Sequence, residues 1–128
     1  EVPTYWNCIA DFEGKQTRAQ LLKGYSDLVE RYIVFHSGDT KLELPKVSIP
    51  RVHFAFFDAV HTYEYVMFEF EAIRHKQLAG DIIVFDDYNK VAFPGVVQAV
   101  DEIAAKHGYT KRVITPPSNR SYVVARKS

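Results

Sequence analysis

The sequence of 128 residues has a single cysteine, no net charge and no long apolar run. Cys8 has no second cysteine with which to form a disulfide, and no basic-then-apolar leader opens the sequence, so we expect a cytoplasmic protein. Sixteen basic and sixteen acidic side chains cancel, so no overall field draws the chain toward nucleic acid or a membrane surface. We therefore expect neither as a partner, and instead a small molecule that is recognised by a local site.

Glycine is also scarce, with six residues, and there is no glycine/serine linker, internal repeat or low-complexity tract. Nothing therefore divides residues 1–128, which we expect to form one domain. What the sequence does contain is a composition that is 47% hydrophobic and 14% aromatic, which suits a packed core of strands under helices.

Apolar residues recur with two different periods, and strand-like segments alternate with helix-like ones. Helical spacing is found over residues 17–32, 63–73 and 94–108. Strand patterns are found over residues 5–12, 32–36, 52–57, 82–85, 111–114 and 121–126, with an irregular stretch at 41–50. Segment 52–57 has the pattern of a strand buried on both faces. The alternation predicts a Rossmann-like α/β fold, with a mainly parallel sheet, helices on both faces and a C-terminal antiparallel hairpin.

Five aspartates lie at or just past the ends of predicted strands: Asp11, Asp39, Asp58, Asp86 and Asp87. Ligands of such folds bind at that edge of the sheet, because side chains and helix N-termini converge there. Asp58 and the pair Asp86-Asp87 would place three carboxylates on neighbouring strands. Like charges that close together require a compensating cation or shared protons. A hard divalent ion such as Mg²⁺ is the natural candidate.

His61 follows Asp58 by three residues and is our candidate for the general base that accepts the proton of a hydroxyl substrate. Each candidate also has a plainer interpretation. Asp58 and the paired aspartates could cap a helix or close a turn, and His61 could be an idle residue at a helix start. Asp11 could bind a ribose diol or start a turn, and Asp39 could contact an adenine edge or cap the next segment.

Three stretches of the sequence resemble class I S-adenosylmethionine-dependent methyltransferases, most closely the group of macrocin and sugar O-methyltransferases. They are the strand end and helix start at residues 57–64, the turn and strand at 78–88 with its Asp-Asp-Tyr end, and the helix at 94–102. The resemblance implies an O-methyltransferase that uses S-adenosylmethionine and acts on a hydroxylated small molecule.

The resemblance also implies roles for particular residues. It implies that Asp11 and the loop Ser37-Gly38-Asp39 contact the cofactor. It also implies that Asp58, Asp86 and Asp87 ligate Mg²⁺ or another divalent cation. The assignment of His61 as base is our own hypothesis from its position.

One feature of the family's pattern is missing, because the sequence contains no G-x-G-x-x-G or comparable glycine loop. In the family that loop follows the first strand, and segment 5–12 matches the second strand instead. We therefore expect a partial methyltransferase domain in which 5–12 pairs with 52–57, or in which copies of the chain associate to cover the exposed sheet. Two other functions stay open at this point: a degenerate module for protein association, and a metal-dependent hydrolase that uses the three aspartates.

Overall fold

The structure, a computed structural model, describes residues 18–117 and 120–128, and the chain divides into two compact units, 1–37 and 38–128. The predicted strand at 5–12 lies outside the described residues. In the first unit, α1 (Arg18–Leu21) and α2 (Ser26–Tyr32) are separated by a 3₁₀ turn at Lys23–Tyr25. The prediction of one continuous helix over 17–32 is wrong, because the α-helix is interrupted at Gly24, a residue of low helix propensity.

The strand predicted over 32–36 is also wrong. Tyr32 is the last residue of α2, and residues 33–37 follow it without regular secondary structure. Ile33 has an extended backbone, with φ −124° and ψ 125°. An extended backbone becomes a strand only through ladder hydrogen bonds with a neighbour, and all four strands of the described sheet come from the second unit.

The second unit contains three helices and four strands, and the predicted boundaries of most of them agree with the structure within about three residues. They are α3 (Thr40–Glu43), β1 (Phe54–Phe57), α4 (Tyr63–Ile73), β2 (Ile82–Phe85), α5 (Pro94–Lys106), β3 (Tyr109–Ile114) and β4 (Tyr122–Lys127), with 3₁₀ turns at Leu44–Lys46 and Arg74–Lys76. None of the helices in the described ranges is long and apolar enough to cross a bilayer.

The sheet has the strand order β1-β2-β4-β3. β1 and β2 are parallel neighbours joined through α4, whereas β4 runs antiparallel to both β2 and β3. The Rossmann-like α/β class and the C-terminal hairpin are confirmed. Within the described residues the sheet is mixed, since one of its three pairings is parallel.

The core lies between the sheet and the apolar faces of α4 and α5. Ile83 and Phe85 of the inner strand β2 are fully buried, as are Phe70 of α4 and Ile103 of α5. Burial on both faces, which the apolar run at 52–57 predicted, is not found for β1, where Phe54 is 60% and Phe56 is 49% exposed. β1 therefore packs one partly buried face, Ala55 and Phe57, against the core and carries Asp58 at its C-terminal end to the edge of the sheet.

Gly95 allows the first turns of α4 and α5 to touch. A Cβ atom at this position would lie 2.7 Å from the backbone nitrogen of Tyr63 and 3.4 Å from Thr62. Because backbone cannot move aside as a flexible side chain can, we expect Gly95→Ala to destabilise the protein by about 1–2 kcal/mol, measured by urea unfolding. Gly24→Ala is the control, since the described structure places no atom within 4 Å of its Cβ. Equal unfolding midpoints for the two variants would contradict the close approach.

Candidate functional site

The carboxyl ends of β1 and β2 bring the predicted aspartates to one edge of the sheet. Phe57 and Phe85 are partners in the parallel register, so Asp58 and Asp86 follow side by side. The backbone N–H of Asp86 donates to the carbonyl of Phe57 at 3.0 Å, which extends the ladder up to this point. The next residue, Asp87, has φ 54°, in the left-handed region. That conformation is uncommon for a residue with a side chain and turns the chain sharply out of the strand.

His61 lies between two of these carboxylates. Its Nε2 atom is 3.4 Å from Oδ1 of Asp58, and its Nδ1 atom is 3.4 Å from Oδ2 of Asp87. The ring of Phe93 contacts the imidazole edge-on, with 4.7 Å between ring centroids. Nε2 is buried and has no hydrogen-bond partner among the described residues, because its contact with Asp58 lacks hydrogen-bond geometry. The imidazole is therefore held in place while one nitrogen keeps its hydrogen-bonding capacity.

The plainer interpretation of Asp58 as a helix cap does not agree with the structure. Thr62 is the N-cap of α4, and its hydroxyl accepts a hydrogen bond from the backbone N–H of Tyr65 at 3.4 Å. Burial raises the pKa of Asp58 above its usual range, and the adjacent carboxylate of Asp86 raises it further, while His61 lowers it. Asp58 is thus a stronger base than an ordinary surface aspartate.

Arg120 belongs to this site, although sequence reasoning missed it. Its Nη2 atom is 2.8 Å from Oδ2 of Asp86, and its Nε atom is 4.0 Å from Oδ1 of Asp87. The hairpin itself was predicted, but its register against β2 was not. β4 runs antiparallel to β2 with Val123 opposite Phe85, so residues just before β4 must lie at the carboxyl end of β2.

Glu69 is a second residue that sequence reasoning missed, because a charged residue of an amphipathic helix is expected on its solvent-facing side. It lies on the same helical stripe as Val66 and Ile73, and it is only 5% exposed. Burial raises its pKa to about 7, against a hydrogen bond from Thr40 and the charge of His61, which lower it. His61, Glu69 and Asp86 line a cavity of about 10 Å³ whose remaining lining is mainly apolar. A cavity of this size holds at most about one water molecule.

The carboxylate of Asp86 already accepts hydrogen bonds from two protein groups. Oδ1 accepts the backbone N–H of Asp87 at 2.7 Å and Oδ2 accepts from Arg120 at 2.8 Å, so an ion at Asp86 would compete with these donors. Across residues 18–117 and 120–128, no three His, Cys, Asp or Glu side chains are grouped so as to hold a metal ion. Metal ligation by Asp58, Asp86 and Asp87 stays a prediction that a titration can decide.

The predicted cofactor residues are less informative. Asp11 lies outside the described residues, and Ser37 and Gly38 fall on either side of the division between the two units. Asp39 caps α3, accepting the backbone N–H of Lys41 at 2.8 Å, and its other oxygen accepts from the hydroxyl of Tyr65 at 3.0 Å. The capping interpretation of Asp39 therefore agrees with the structure, and cofactor contact by this loop stays a prediction.

Comparison with protein families gives a match that covers most of the chain. A family model described as a methyltransferase domain matches residues 5–88, which include the ends of β1 and β2. No curated protein sequence matches the chain.

Solved structures of O-methyltransferases share the fold. A candidate O-methyltransferase from Klebsiella pneumoniae is 16% identical with a TM-score of 0.65, covering 86% of this chain and 57% of its own. CalS11, a TDP-rhamnose 3'-O-methyltransferase of calicheamicin biosynthesis, is 23% identical with a TM-score of 0.53, covering 96% and 48%. A Bacillus cereus O-methyltransferase in complex with SAH is 16% identical with a TM-score of 0.50, covering 70% and 46%. This chain thus spans about half the length of these structures.

Proposed function

Because the chain belongs to the methyltransferase domain family, we propose that it forms part of an S-adenosylmethionine-dependent O-methyltransferase that acts on a hydroxylated small molecule. The observation that supports this most directly is the position of His61 between Asp58 and Asp87, at the carboxyl ends of two parallel strands. Ligands of open α/β sheets bind at this edge.

Methyl transfer to oxygen requires a nucleophile that loses its proton as it attacks. S-adenosylmethionine, when bound, supplies an electrophilic methyl group. In our proposal Nε2 of His61 accepts the proton of the acceptor hydroxyl through one water molecule in the adjoining cavity, because Nε2 itself is buried, while Nδ1 keeps its hydrogen and directs it at Asp87. The imidazolium that results lies 3.4 Å from a carboxylate on each side, which stabilises its charge.

Cofactor contact by Asp11, Ser37, Gly38 and Asp39 forms the second part of the proposal. The Bacillus cereus structure, which is a complex with SAH, supports an adenosyl ligand for a protein of this fold, and the resemblance of the sequence supports these residues. An acidic residue after the second strand commonly binds the ribose hydroxyls of a nucleotide, which is the role proposed for Asp11.

Calorimetric titration of the protein with S-adenosylmethionine and with SAH tests the proposal. We expect one site with a dissociation constant on the order of 1 μM–1 mM, the range of typical substrates. Asp11→Asn should weaken binding about tenfold or more, because a hydrogen bond to a charged group is lost. Asp27→Asn, the same change on α2, should leave binding unchanged. Absence of binding, or equal binding of NADH, would reject a site for S-adenosylmethionine. Absence of binding is the result expected of a module that serves only for protein association.

A further inference from the structure

Arg120 provides a positive charge at the place where the sequence analysis expected a metal ion. The side chain of Asp86 is only 3% exposed, and a carboxylate buried to that degree is stable only when it is paired. Its partner is the guanidinium group of Arg120, at 2.8 Å. The same group extends toward Asp87, so one planar cation faces two neighbouring carboxylates.

The backbone holds Arg120 in this position. The N–H of Tyr88 donates to the carbonyl of Ser121 at 2.8 Å, which ties the residue after Asp87 to the residue after Arg120. β4 continues this contact as an antiparallel ladder along β2. The arginine is therefore positioned by the same sheet that positions the carboxylates, while its side chain stays 54% exposed and open to a ligand.

We propose that the guanidinium group of Arg120, rather than a divalent cation, is the positive charge that pairs with Asp86 and Asp87 beside Asp58, and that Arg120 and a metal ion compete for these carboxylates. A cation ligated through Oδ2 of Asp86 would have to displace the hydrogen bond that Arg120 donates to this oxygen. One consequence rests on the proposed function: methyl transfer proceeds without added metal, and the exposed guanidinium faces the acceptor oxygen as its negative charge develops.

Titration with Mn²⁺, followed by the loss of its free electron paramagnetic resonance signal, tests the competition. We expect the native protein to bind Mn²⁺ weakly and Arg120→Gln to bind it about tenfold more tightly or better, because two carboxylates lose their cation. Arg120→Lys, which keeps a charge but not the planar fork, should be intermediate. Arg126→Gln is the control, since it removes the same charge from the opposite end of β4, where Arg126 is paired in register with Ile82.

Equal Mn²⁺ affinities of the native protein and Arg120→Gln, whether measurable or below detection, would overturn the proposal. If thermal unfolding shows that Arg120→Gln does not fold, Arg120→Lys decides in its place, and an affinity equal to the native one overturns the proposal in the same way. The titration contains neither S-adenosylmethionine nor acceptor. Its failure therefore leaves the proposed methyltransferase function intact, and absence of cofactor binding leaves the role of Arg120 intact.

Discussion

Replacing His61 by glutamine is expected to lower kcat for methyl transfer by about 10²–10⁴-fold, the usual contribution of a general base. KM for the acceptor should change little, because the imidazole acts on the proton that moves in the transition state rather than on the bound hydroxyl compound. Steady-state kinetics with S-adenosylmethionine and a panel of hydroxylated acceptors measures both constants. Asp58→Asn should reduce kcat in the same direction, since it removes the carboxylate 3.4 Å from Nε2.

His75→Gln is the matched control for this experiment. His75 is an exposed histidine in the 3₁₀ turn that follows α4, remote from the strand ends that carry the aspartates. Its replacement should leave kcat at the native value. If His61→Gln and His75→Gln have the same kcat, the base is another group and the assignment of His61 is wrong.

Glu69→Gln is expected to stabilise the protein at pH 8 and to have little effect at pH 4. The pKa of Glu69 is about 7 in the folded protein against an ordinary value of 4.5, so folding favours the protonated side chain. Its contribution is fully present below pH 4.5 and is lost as the pH rises toward 7. At about 1.4 kcal/mol per pKa unit the loss reaches at most about 3 kcal/mol, and nearer 2 once water around the carboxylate screens its charge.

Urea unfolding of native protein and variant from pH 4 to pH 8 measures this difference. Asp101 and Glu102 have lowered pKa values, so their contributions to stability increase with pH, opposite to that of Glu69. Both residues are present in the native protein and in the variant, so the difference in unfolding free energy reports on Glu69 alone. Glu71→Gln is the control on the same helix, where the side chain is exposed and paired with Arg74. It should change stability by less than about 0.5 kcal/mol at either pH. A destabilising effect of Glu69→Gln at pH 8 would show that the buried carboxylate is ionised and paired.

The aspartate edge of the site could be predicted from sequence because the governing rule is local. An apolar run that ends in an aspartate predicts a buried strand and its carboxyl end, and two such runs separated by a helix predict parallel neighbours. β1 and β2 have this arrangement, with Phe57 paired to Phe85. His61 was within reach of the same reasoning, because it lies in the short loop between β1 and α4.

The positions of Arg120 and Glu69 in the site could not be predicted from the spacing of apolar residues. Arg120 reaches Asp86 across 34 positions of sequence, through the register of a hairpin whose turn gives no residue-level signal. Glu69 is not expected in the core because charged residues are rarely buried, yet it lines the small cavity beside His61. The interruption of the helix at 17–32 was missed for a different reason. The helical spacing of apolar residues continues through Gly24, whereas the α-helical conformation of the backbone is interrupted there.

The backbone at Asp87 limits which amino acids this corner of the protein can accept. A position with a left-handed backbone, such as that of Asp87, accepts glycine, asparagine or aspartate, whereas β-branched and bulky side chains are strained in this conformation. Of these three, aspartate alone provides a carboxylate. The backbone conformation therefore limits position 87 to very few amino acids. This limit applies both to natural variation and to a mutant library built to alter substrate choice, whatever the chemical role of the side chain.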